Sequence, residues 1–523
     1  MNRVLSILML AAFVGTSVTA RAADAPPPAK PSPPAAPSMP SGMGEYPDSV
    51  TSHSIVLDGK TIAYTARAGL ITLHDQNGKP TAEVFYTADT EDGANPHTRP
   101  VTFIYNGGPG SSTMWLRMGS FGPVRVVAGD GTPSGPPPYR IVDNPYSLLD
   151  KSDLVFIDMP DSGFGRILPG VDTKTFFGVD QDVAAFGQFI SNYISKFDRW
   201  NSPKFLFGES YGTPRSAALS AYLNDRGIAL NGVILQSSIL NFWLDYGNGD
   251  PIGGGDWAYV FYLPTEAATA WYHDKIANKP ADLATFVSQV EQFAMGEYLD
   301  ALYRGDKLGD AERNDVIRKL SRFTGLSEQY IRLSNIRIPY DKFESELLRG
   351  QGEIAGRLDA RYTTWSLDRA SLEGPPWDPT DSSIDAPYTT AINQYLREDL
   401  KYNPPIPYRA NIYDIIYGPN FSNQDGWDFS HHGRWPTNTA PDLAEAMAQN
   451  PDLKVFSANG YFDFATPFFA TVYTLQHLNL SPALQRNITF GFYHSGHMIY
   501  LDDAALAQYK ADLSRWYDSA TGH

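Results

Sequence analysis

The sequence predicts a doubly wound α/β fold. Six short runs, VTFIYNGG from 101, DLVFIDMP from 153, KFLFGES from 204, NGVILQSS from 231, LKVFSANG from 453 and NITFGFYH from 487, are bounded by turn residues. Most are apolar on both alternating faces, the pattern of strands covered by helices on both sides of a parallel sheet. Between the second and third runs, DQDVAAFGQFISNYISKF (180 to 197) places apolar residues at helical spacing. That makes a βαβ rhythm.

The rhythm stops between about 240 and 440. Helical stretches such as ADLATFVSQVEQFAMGEYLDALY from 281 and AERNDVIRKLSRFTG from 311 alternate there with Gly-, Pro- and aromatic-rich connections. With strand signals resuming near 453, the expected layout is a core over 46–240, an inserted, mainly helical cap subdomain over 241–440, and the second part of the core over 441–523. A separate second domain is the alternative. The aromatics of DWAYVFYLPTEAATAWYH from 256 hint at apolar side-chain pockets, although such residues are more often core.

Ahead of the core, residues 1–22 read as a signal peptide: Arg3, an apolar run from Val4 to Val18, and an Ala20-Arg21-Ala22 cleavage site. Residues 23–45 are too rich in proline for a helix and too poor in large apolar side chains for a core. They read as a disordered spacer. The protein is therefore expected to be exported, periplasmic or extracellular, with no stable membrane insertion after cleavage.

Composition excludes some chemistry. With no cysteine among 523 residues, disulfides, thiolate nucleophiles and Cys-zinc sites are ruled out. The net charge of −17 argues against a nucleic-acid partner, which would need clustered Lys and Arg. No cofactor or metal is called for: His431 and His432 are adjacent and expected to point to opposite sides of a strand, where they would not share an ion.

The chemistry is announced by Gly208-Glu209-Ser210-Tyr211-Gly212, the one G-x-S-x-G of the chain. A strand that ends there, turns on a serine and enters a helix is a nucleophile elbow, with small flanking residues letting the strained turn close. A serine hydroxyl needs a general base, and the base an orienting acid. In α/β-hydrolases these follow in the order Ser, Asp, His. Asp463 follows one late strand, and His494 and His497 follow another. His497, in Ser-Gly-His-Met, is the better base. Oxyanion donors are the backbone N–H of Tyr211 and one from the loop NGGPGSS, 106 to 112.

Together, Asn106 to Gly110, Gly208 to Tyr211, Gly460 with Asp463, and Gly496 to Met498 resemble the serine carboxypeptidases, the carboxypeptidase Y-like group of α/β-hydrolases. The resemblance implies an α/β-hydrolase fold and an enzyme that releases C-terminal residues from peptides with a free C-terminus through an acyl-enzyme. It makes Ser210 the nucleophile, His497 the base, Asp463 its orienter, and the N–H groups of Gly108 and Tyr211 the oxyanion hole. Asn106 and Glu209 would hold the substrate carboxylate, and Met498 would touch the leaving residue. Where the family has a second glutamate, this chain has Ser120 in GSFGP, which implies a weaker acid preference or altered carboxylate recognition. An esterase or acyltransferase using the same triad, or a non-catalytic binding protein on a hydrolase fold, are the alternatives.

Overall fold

The computed structural model describes residues 46–245, 255–371, 373–419, 422–423 and 426–522. The signal peptide and spacer expected over 1–45 lie outside the described residues. The main sheet is built from β1 (Ser49–Leu57), β2 (Lys60–His74), β3 (Pro80–Glu91), β4 (Val101–Tyr105), β5 (Asp153–Ile157), β6 (Lys204–Glu209), β7 (Gly232–Gln236), β8 (Lys454–Gly460) and β9 (Ile488–Tyr493). Their order is β1-β2-β3-β5-β4-β6-β7-β8-β9, with the short Arg166–Ile167 strand beside β3.

From β5 to β9 every neighbouring pair is parallel, whereas β1, β2 and β3 form an antiparallel meander joined antiparallel to β5. This is the α/β-hydrolase fold the sequence implies, extended by three strands absent from the apolar-run reading. The meander carries a different signal: Ile62, Tyr64, Ala66 and Ala68 of β2 are buried at alternate positions, the mark of a strand with one wet face.

The parallel strands alternate between two covered faces. On one, Phe103 and Tyr105 of β4 meet Tyr193 and Phe186 of α1 (Val179–Lys196). On the other, Phe205 and Phe207 of β6 pack on Tyr517 and Tyr509 of the C-terminal helix Asp503–Thr521. Each such ring removed from water contributes roughly 1.5–3 kcal/mol. Both faces are thus dry at β4 and β6, and function is confined to the strand ends.

After β6 the chain enters α2 (Gly212–Asn224), and after β7 it runs through helices that include α3 (Trp257–Tyr272), α4 (Leu283–Phe293), α5 (Asp310–Thr324) and α6 (Pro379–Gln394). Helices α3, α4 and α5 share an apolar core with Tyr461, Phe462 and Phe464, which follow β8. The aromatics of α3 are mostly core: Tyr259, Phe261 and Tyr262 are buried, while Trp257 and Tyr272 are partly exposed. The chain returns to the sheet through α7 (Ala440–Gln449). No helix of the described residues is long and apolar enough to cross a membrane.

Candidate active site

Ser210 sits where β6 turns into α2, with φ +59. A non-glycine residue in the left-handed region is strained and held there by its surroundings. The flanking glycine is required: a Cβ at Gly208 would lie 2.0 Å from the carbonyl oxygen of Gly212. The Ser210 N–H donates to Gln236 O at 3.0 Å, which ties the elbow to the end of β7.

Asp463 and His497 come together from the ends of β8 and β9. His497 Nδ1 lies 2.9 Å from Asp463 Oδ2, and the two residues are 3% and 1% exposed. The carboxylate is saturated, since Oδ1 accepts from the N–H groups of Ala465 and Thr466 and Oδ2 from Thr466 Oγ1 at 2.7 Å. Burial lowers the His497 pKa, but the charge and hydrogen bond of Asp463 outweigh it and leave it raised. The backbone carbonyl of His497 accepts from Ser237 Oγ at 2.7 Å, one residue beyond the Gln236 that holds Ser210. His497 is thereby seated beside the elbow with Nε2 uncommitted. Ser210 Oγ makes no hydrogen bond among the described residues, a looseness common before substrate binding. His494 is exposed and sets its ring edge-on to Trp271 and Tyr461, away from Asp463.

A short segment of the helical stretch brackets both loops. The N–H of Phe464 donates to Arg357 O at 3.0 Å, that of His497 to Leu358 O at 2.6 Å, and that of Ala360 to Phe462 O at 3.0 Å. Asp359 Oδ2 accepts from Gly496 N. Sequence reasoning missed this segment, as it missed Gln236 and Thr466.

The glycine loop lies against the elbow, for a Cβ at Gly107 would be 2.4 Å from Tyr211 N. The N–H groups of Gly108 and Tyr211 donate to no acceptor among the described residues. The loop is anchored by Arg215, fully buried, which pairs with Asp182 of α1 at 2.6 Å and donates to Asn106 O at 2.8 Å. Asp158, at the end of β5, accepts from Thr113 N and Tyr408 OH. It fixes the loop and lies apart from the His497–Asp463 pair.

Asn106 and Glu209 meet directly. Asn106 Nδ2 donates to Glu209 Oε1 at 2.5 Å, and Asn106 Oδ1 accepts from Leu116 N. Glu209 Oε2 accepts from Gln236 Nε2 at 2.6 Å. Burial pushes Glu209 up to about 7, against the opposing pulls of His497 and the Tyr500 and Asn106 hydrogen bonds. Gln236 Oε1 is buried without a partner; turning that amide over presents it to a protonated Glu209. Ser120 turns its hydroxyl to Leu116 O at 2.6 Å, so it stands in for no second carboxyl group. Met498 is buried directly after the base.

His431 and His432 depart from expectation. They lie in a turn, His432 at φ +50, with ring centroids 4.0 Å apart on the same side. His431 is held between Asp180 at 2.6 Å and Asp442 at 3.0 Å, and His432 Nε2 is 3.3 Å from Asp442. Ligand-type atoms of Asp180, His431 and His432 fall within 4.8 Å of one another. Burial lowers the His431 pKa, but Asp442 and Asp180 together raise it, so the pairs act as an ionic clasp between the starts of α1 and α7.

A sequence model of the serine carboxypeptidase family matches residues 58–244, the stretch that holds the glycine loop and the elbow. Serine carboxypeptidase-like 26 of Arabidopsis thaliana is 25% identical over 191 residues, 35% of this chain and 40% of that protein. Serine carboxypeptidase-like 45 of the same plant is 28% identical over 214 residues, 38% and 42% of the two chains. The chain thus spans about two fifths of the length of these relatives. Among solved structures, a proline iminopeptidase of Mycobacterium smegmatis aligns over 87% of this chain and 98% of its own at 12% identity, with a TM-score of 0.38. A putative aryl esterase from Burkholderia cenocepacia gives the same identity and score over 87% and 100%.

Proposed function

This chain belongs to the serine carboxypeptidase family, and on that premise we propose that it is an exported hydrolase that releases C-terminal residues from peptides. The observation that carries the reading is the Asp463–His497 pair seated beside the strained Ser210, with the bonded Asn106–Glu209 pair next to it. Ser210 Oγ attacks the scissile carbonyl as His497 Nε2 takes its proton, and Asp463 holds the imidazolium at Nδ1. The oxyanion receives hydrogen bonds from the free N–H groups of Gly108 and Tyr211. His497 returns the proton to the departing amine, leaving an ester on Ser210. Water, deprotonated by the same imidazole, then hydrolyses that ester. A protonated Glu209 and the Asn106 amide grip the terminal carboxylate, and Met498 lies against the departing residue.

The test compares one peptide with a free C-terminus and the same peptide amidated, across pH 4 to 8, beside Ser210→Ala. Stepwise trimming of the free peptide, strongly reduced by amidation and abolished in the variant, is the expected result. A second reading, esterase or acyltransferase, is favoured by one observation: Ser120 gives Glu209 no acidic partner. Ser210-dependent cleavage of simple esters without any trimming would replace the first reading with the second.

A further inference from the structure

Beside the proposed base stands a cation that forms no salt bridge among the described residues, although Asp378 and the buried Glu344 act on its charge from farther off. Arg357 is exposed although Gly356 and Asp359 near it are buried. Its backbone is fixed to the machinery: its carbonyl accepts from the residue after Asp463, and the next carbonyl accepts from His497 N. The guanidinium forms no salt bridge among the described residues. Its side chain hydrogen-bonds Tyr340.

Tyr340, Tyr262, Asp378 and Glu344 act most on the guanidinium, and three more groups feel its charge. It acts on His497, on Asp381 of α6, and on Tyr413. The Tyr413 ring lies 3.1 Å from where a Cβ on Gly108 would stand. An exposed side chain whose backbone is bonded to the loops of Asp463 and His497, and whose charge is felt by His497, Tyr413 and α6, faces the cleft these groups border. Arginine does not shed its proton to escape such a place, and its planar fork matches a carboxylate in two parallel hydrogen bonds.

The terminal carboxylate is not the ligand it fits. That group's seat is Asn106 and Glu209, and the charges that act most on Glu209 are His497 and Asp463, not Arg357. We propose that Arg357 selects substrates with an acidic side chain on a residue flanking the scissile bond, pairing its guanidinium with that side-chain carboxylate. This rests on the carboxypeptidase reading above. Asp381 and Asp385 also border the cleft and would attract a basic side chain instead. Burial together with Asp378 and Asp385 pushes Asp381 up to about 7, so under acid conditions its competing charge is withdrawn.

The experiment measures kcat/KM for blocked dipeptides carrying Glu, Gln or Lys on either side of the scissile bond, with wild type, Arg357→Gln and Arg357→Lys. Glu over Gln by about tenfold at one position is the expected wild-type ratio for a charge-assisted pair. Arg357→Gln should bring that ratio to about one, and Arg357→Lys, with charge but no fork, should fall between. Equal rates for Glu and Gln in wild type, a Glu/Gln ratio unmoved by Arg357→Gln, or a preference for Lys would overturn the proposal. If no peptide is trimmed, the comparison moves to the p-nitrophenyl esters of glutaric and butyric acids. A Ser210-dependent preference for the acidic ester that Arg357→Gln removes keeps Arg357 as the selector while the peptidase reading falls. No preference there overturns both.

Discussion

At Glu209 one carboxyl group must satisfy two conditions. In the proposed mechanism it grips a substrate carboxylate only while protonated, and its raised pKa of about 7 keeps it so through mildly acid conditions. His497 must be neutral to accept the Ser210 proton, and its own raised pKa places that requirement above the ordinary histidine value. The two limbs approach each other, and because the groups interact the limbs belong to the pair. For a peptide with a free C-terminus, kcat/KM should therefore describe a narrow bell close to neutrality, not a peak at pH 4 to 5. Glu209→Gln keeps a donor but loses the titration. It should flatten the alkaline limb and leave the acid limb in place, which a pH profile of the variant from 4 to 9 will read.

Among the elements, the segment from Arg357 to Arg361 has the most consequences for its length. The Arg361 side chain is 3% exposed and pairs with Asp359 at 2.7 Å, Asp502 at 2.7 Å and Asp130 at 3.0 Å, and its Nη2 also reaches Ser495 Oγ. Asp359 in turn holds Gly496 N, next to the base. Arg361→Met leaves a fully buried carboxylate without its cation. Urea denaturation should show a loss of about 3–5 kcal/mol, with kcat reduced as the Gly496–His497 turn loosens. The elbow could be read from sequence because its constraint is local: Gly208, Ser210 and Gly212 lie within five consecutive residues. Arg361, Arg357 and Gln236 reach the site only through tertiary hydrogen bonds, and no spacing in the chain points to them. The His431–His432 geometry failed for the related reason that a turn, with His432 at positive φ, replaced the assumed strand.

For the whole molecule, buried acids set the response to pH. Burial pushes Asp158, Glu209 and Glu291 up to about 7 and Asp89 up to about 6, and it also raises Glu266 and Glu344. Each binds a proton in the folded state that the unfolded chain has already released at the same pH. The stability such groups contribute is complete below their unfolded values and is lost as pH rises through their folded ones. His431 adds to the same trend, and His273, lowered by burial, opposes it. The exposed acids Asp274, Glu312 and Asp315, lowered by ion pairs, and Asp282, lowered by its cap bonds from Thr285, matter only below this range. Tm should accordingly fall from pH 5 to pH 8 in scanning calorimetry. The parallel strands were legible because they are buried on both faces and mostly apolar; β1 and β2 were not because their alternation is the weaker signal, and β3 was not because it buries polar residues, Glu83, Thr87 and Asp89, among its apolar ones.

The hydrogen bonds from Phe464 and His497 to Arg357 and Leu358 also limit what can be exchanged between relatives. A hybrid that took its helical region from another protein of this fold would carry away two of the supports that align Asp463 with His497. Such chimeras should be joined outside residues 357 to 361, so that this piece travels with the sheet it serves and not with the helices that surround it.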